Sequence, residues 1–101
     1  MVRDVINDSV ISIIDEEFLE ICKSGDASKV KEAILSGTNI NAKDNQSRTA
    51  LIWASTKGRT KIVKLLLMKG ANVNARDKDG TTALMCAARR GYIEITELLL
   101  N

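Results

Sequence analysis

The chain has 101 residues, of which 45% are apolar and 28% charged, a size and balance that argue against a second core and against disorder. It contains no His and no Pro, two Cys and three aromatics (Phe18, Trp53, Tyr92). His-dependent triads and His-ligated zinc are therefore excluded, and the thiols are too few for a Cys-only zinc site or a disulfide framework. The net charge of +2 is uneven: residues 1–42 hold four cations against eight acids, and residues 43–101 hold eleven against five.

Apolar runs such as Ala83–Ala88 and Leu65–Met68 fall far short of the roughly 20 residues that span a bilayer, so no membrane segment is expected. At the start of the chain, Val2, Val5, Ile6, Val10, Ile13 and Ile14 share one face at helical spacing. An amphipathic helix packed on the first unit is the favoured reading of residues 1–14. The β-prone run Val10–Ile14 leaves an extended arm open, and fraying is a third option. Asp4 and Asp8 interrupt this stretch, and no small-residue cleavage site follows it. A signal peptide is not expected, and two unpaired thiols point to a reducing cytoplasm.

A helix is expected from Asp15 to about Ser24. Its carboxylates (Asp15, Glu16, Glu17, Glu20) read as a solvated polar face rather than an acid–base pair. The segment Ser24–Lys29 that follows lacks the spacing and the second Gly of a phosphate-binding loop. With no catalytic constellation along the chain, no enzymatic activity and no cofactor are expected.

From residue 25 onward the sequence repeats. Gly25, Gly58 and Gly91 are spaced by 33 residues, as are Thr49 and Thr82, Leu51 and Leu84, and Ala54 and Ala87. Between 45–68 and 78–101 nine of 24 positions are identical, and between 25–44 and 58–77 eight of 20. Each unit reads as two short helices and a turn. Thr49 is expected to cap a helix through about Lys57, and Thr82 one through about Arg90, each hydroxyl accepting an unpaired backbone N–H. Gly58 and Gly91 then allow the reversal into second helices at about 60–69 and 93–100. Leu51, Leu84, Ala54, Ala87, Leu66 and Leu99 recur on inward faces and are expected to be buried.

The period and the stretches Gly80–Ala88, Arg48–Ala54 and Gly70–Asp77 resemble the ankyrin repeat over residues 15–101. The resemblance implies an all-α solenoid of stacked helix-turn-helix repeats with short β-turn fingers, divided at about 15–44, 45–77 and 78–101. The family's Thr-Pro-Leu-His becomes Thr49-Ala50-Leu51-Ile52 and Thr82-Ala83-Leu84-Met85. The loss of Pro and His predicts the same fold with looser fingers. In the first unit Lys29 and Glu32 stand where the second has Ile62 and Leu65, the polar outer face of an end repeat. Ile93 and Leu100 are apolar where the resemblance implies a polar carboxyl-terminal cap; an incomplete repeat array is the favoured reading, and self-association through this exposed end is the other. Stacking also places Cys22 and Cys86 two repeats apart, about 20 Å, beyond disulfide reach.

Partners of such repeats bind the finger tips and the groove side of the first helices. The matching positions here include Lys43, Arg48, Trp53, Lys57, Arg76, Lys78, Arg89 and Arg90. Cations from successive units would merge into a stripe around Trp53, with Arg89 or Arg90 reaching its ring. The expected function is protein–protein interaction with an acidic segment and no small-molecule substrate. Homo-assembly through the uncapped end and nucleic-acid binding through the same cations are the alternatives, the second disfavoured by the acidic amino half. Asn41 and Asn74 have the setting of turn asparagines that some family members carry hydroxylated, and are read as turn formers.

Overall fold

The computed structural model describes residues 8–101, with side chains from Ile14 onward. Among the described residues six helices follow one another: α1 (Asp8–Ser24), α2 (Ala27–Leu35), α3 (Ala50–Lys57), α4 (Thr60–Met68), α5 (Ala83–Arg90) and α6 (Ile93–Leu100). They pair as α1/α2, α3/α4 and α5/α6. The pairs stack so that α3 lies between α1 and α5 while α4 lies between α2 and α6. The order is that of a helical solenoid, with α1, α3 and α5 forming one layer and α2, α4 and α6 the other.

Helix α1 begins seven residues before Asp15 and runs unbroken through residue 14. The extended arm is thus excluded for residues 8–14, and residues 1–7 lie outside the described part of the chain. Val10–Ile14 is β-prone, but adding residues to a helix already nucleated gains one hydrogen bond for each residue fixed.

The repeated motifs set the helix ends. Thr49 Oγ1 accepts the Ile52 N–H and Thr82 Oγ1 accepts the Met85 N–H, both at 3.3 Å. Gly58 (φ 73°) and Gly91 (φ 75°) close α3 and α5 in the left-handed conformation that a Cβ disfavours.

The core is continuous through the stack: Phe18, Cys22 and Val30 in the first pair, Leu51, Ile62 and Leu66 in the second, Ala87 and Ile95 in the third. Of the residues expected inside, Leu51, Ala54, Leu66, Ala87 and Leu99 are buried. Leu84 is only partly buried. It occupies the position of Leu51 one repeat later, but within the α1/α3/α5 layer the described helices give α5 a neighbour on its α3 side alone. Met85, at the position of buried Ile52, is 44% exposed for the same reason. Ile93 and Leu100 are exposed at 74% and 67%. Among the described residues no helix is long and apolar enough to cross a membrane.

Candidate functional site

Two loops join the helix pairs and stand beside the α1/α3/α5 layer as fingers. Each is organised by one aspartate. Asp44 Oδ1 accepts the backbone N–H groups of Gln46 and Arg48, both at 2.9 Å, and Asp77 Oδ1, 33 residues later, accepts those of Asp79 and Thr81 at the same distance. The first finger closes on an isolated antiparallel bridge between Lys43 and Thr49. Fingers are also tied to each other. The Lys78 N–H donates to the Gln46 carbonyl at 2.9 Å, and Asn41 Oδ1 accepts the Asn72 N–H at 2.9 Å. Asn41 is thus a structural tie between repeats.

Trp53 projects from α3 into the angle between the first finger and α1. Its indole N–H donates to Asp44 Oδ2 at 2.9 Å, so the aspartate that shapes the finger also fixes the ring. Three cations stand over the ring: Lys23 Nζ at 4.1 Å from its centroid, Arg48 Cζ at 5.1 Å and Lys57 Nζ at 6.0 Å. The expected partners Arg89 and Arg90 are not among them. The bond to Asp44 holds the indole beside the first finger, where Lys23 of α1 lies over its ring.

Burial would raise the Asp44 pKa. The Arg48 N–H, the Trp53 indole, the Gln46 N–H and the Arg48 charge together outweigh it and hold the carboxyl below its ordinary value of 3.8. Cys22 shows the opposite effect, since burial alone pushes its thiol up to about 12. Both cysteines are free, and Cys86 is partly exposed on the groove.

A groove of about 310 Å³ runs from Trp53 across to α5, with Arg48, Cys86, Arg89 and Arg90 along it. Asp77 and Asp79 line it as well, and Arg48 Nε lies 3.9 Å from Asp77 Oδ2. The structure therefore brings Arg48, Trp53, Arg89 and Arg90 around one cleft. Lys57 touches it only through the ring, while Lys43 and Lys78 stand exposed on the fingers. Arg76 turns back on its own finger, its Nη1 donating to the Gly80 carbonyl at 3.2 Å.

Between α1 and the first finger lies a separate hollow of about 650 Å³, with Glu16, Glu17, Glu20, Lys23 and Asp44 in its lining. The sequence reading left Glu20 and Lys23 out of the site. The 33-residue register could have found them, since it sets Glu20 in line with Trp53 and Cys86, and Lys23 in line with Thr56 and Arg89. The Lys23 ammonium also bonds Glu20 at 3.0 Å, so the acidic end begins beside the ring.

Such a stack of helix pairs and fingers, with a groove of charged and aromatic side chains along one layer, defines an all-α helical-repeat fold. The sequence matches the family model of ankyrin repeats, in three copies, over residues 18–101. The chain belongs to the ankyrin repeat family. No curated protein matches it. Ankyrin repeats are generally protein–protein interaction modules, and the family is typically non-enzymatic.

Proposed function

We propose that this chain is a non-enzymatic interaction module that takes a protein segment into the groove between Trp53 and α5, with the segment's acidic side chains over Arg89 and Arg90. The observation that carries this is Trp53 itself. It is a partly exposed aromatic held rigid by Asp44 at the mouth of a cleft, so docking against it orders little that is not already ordered. Arg89 and Arg90 are exposed and take part in no ion pair among the described residues, which leaves both guanidinium groups available to carboxylates. Lys43, Lys57, Arg76 and Lys78 extend the attraction along the fingers, where it acts on the rate of encounter more than on the final affinity. Two free thiols support a reducing, cytoplasmic setting.

Trp53 is the only tryptophan, so its emission reports on the site directly. Peptides selected from a random library on the native chain should be rich in Asp and Glu and should shift that emission. Replacing Arg89 and Arg90 with Glu should slow their association, and Trp53→Ala should speed dissociation. Selected peptides that bind both variants as well as the parent would move the site elsewhere. A single-stranded oligonucleotide that shifted the emission more strongly than the peptides would favour the cations as a nucleic-acid surface.

A second reading, homo-assembly, rests on exposed Ile93 and Leu100 and on a hollow of about 260 Å³ that Ile93 lines with Gly91. Sedimentation across a concentration series tests it. Association that Leu100→Lys abolishes supports it, and a monomer throughout removes it.

A further inference from the structure

The opposite layer carries a groove of different character. Between α2 and α4 lies a hollow of about 280 Å³ with Ala27 and Leu65 in it and Lys31, Lys61 and Lys64 around it, and no acidic residue among its lining. Met68 closes one end and is 77% exposed. Leu35, its equivalent 33 residues earlier, is 82% exposed. These apolar side chains recur in register on the outer helices, as do Lys31 and Lys64. The third repeat breaks the series: Glu94 and Glu97 occupy the positions of Lys61 and Lys64, and Glu94 Oε2 bonds Lys64 Nζ at 3.0 Å. The patch is thus confined to the first two repeats and bounded by charges of the other sign.

We infer that this groove is a second docking surface, on the face away from Trp53, for an amphipathic acidic helix of another protein. The seam between α2 and α4 offers a third helix an apolar trough, which Leu or Met side chains at positions i and i+4 would enter. Glutamates flanking such a stripe would meet Lys31 and Lys61, the two lysines of the groove that have no carboxylate partner among the described residues. A concave trough between helices admits inserted side chains, which a flat lipid headgroup layer does not supply. Because it shares no residue with the Trp53 groove, the surface stands or falls independently of the function proposed above.

The probe is a synthetic helical peptide with a leucine stripe flanked by glutamates, titrated into the native chain with amide and Met68 methyl signals followed by NMR. A control peptide has the same composition with its leucines dispersed. The expected result is that the striped peptide shifts Lys31, Lys61, Leu65 and Met68. Lys31→Glu with Lys61→Glu should weaken it about tenfold or more, with circular dichroism unchanged, and Trp53→Ala should leave it alone. Equal binding of the dispersed peptide, or shifts centred on Trp53, would overturn the inference. So would binding to phosphatidylserine-containing vesicles without binding to the striped peptide.

Discussion

The ring of Tyr92 lies against Gly58 so closely that a Cβ on the glycine would stand 2.9 Å from the ring carbon Cζ. One repeat earlier the Arg59 guanidinium covers Gly25 in the same way, with Nε 3.0 Å from where a Cβ would be, while it donates to the Lys23 carbonyl at 3.0 Å. A flat side chain at the start of one outer helix thus seals the turn of the repeat before it. The contact is between repeats, and a bare α-carbon makes it fit.

Gly91 occupies the same turn with nothing within 4 Å of its missing Cβ. Gly91→Ala should therefore cost only the left-handed backbone, about 1–2 kcal/mol. Gly58→Ala should cost about 1 kcal/mol more, because the ring must also move. Urea unfolding of the two variants checks the difference. The excess at Gly58 should vanish in a Tyr92→Ala background, a coupling that a double-mutant cycle reads directly.

Ser47 holds φ at 61°, the single non-glycine with positive φ among the described residues, and its equivalent one repeat later is Gly80 at 78°. The first finger therefore carries backbone strain that the second avoids. Ser47→Gly should raise stability by about 0.5–1 kcal/mol, the relief of left-handed strain less the added freedom of the unfolded chain. Gly80→Ser should lower it by about 1 kcal/mol. Thermal unfolding of the pair provides the measurement, and a loss on Ser47→Gly would mean that the hydroxyl has a role the backbone does not reveal.

The sequence shows the fold through its register and misses what the register does not carry. Thr49, Thr82, Gly58 and Gly91 announced the helix ends because capping and left-handed turns are local chemistry. Leu84 was misjudged because its burial depends on a neighbour, not on its own position in the helix. The helix favoured ahead of Asp15 is present over residues 8–14, but as a direct continuation of α1 rather than a separate element, because no breaker separates Ile14 from Asp15. That Arg48, Trp53, Arg89 and Arg90 line one groove was legible from their positions in the repeat. The Asp44–Trp53 bond was not, because an indole's direction is decided by a contact nine residues away in the chain.

Asp44 makes the first finger sensitive to acid. Its folded pKa lies below 3.8, so the ionised group adds stability that is complete above the unfolded value and fades as pH falls through the folded one. The parent should thus lose stability below about pH 3.8, with Trp53 emission changing over the same range as the indole loses its ionised acceptor. In Asp44→Asn, which keeps an acceptor oxygen but no charge, the emission change should disappear. An unaltered titration in that variant would assign the transition to another carboxylate.

The hydrogen bond from the Lys78 N–H to the Gln46 carbonyl has a consequence for how such a surface diversifies. It joins two fingers through main-chain atoms, so this link between neighbouring finger tips does not depend on which side chains residues 46 and 78 display. The exposed side chains of Gln46 and Lys78 are free to change while that link stays in place. Sequence drift can then rewrite what the finger tips present without disturbing the ruler on which they are spaced.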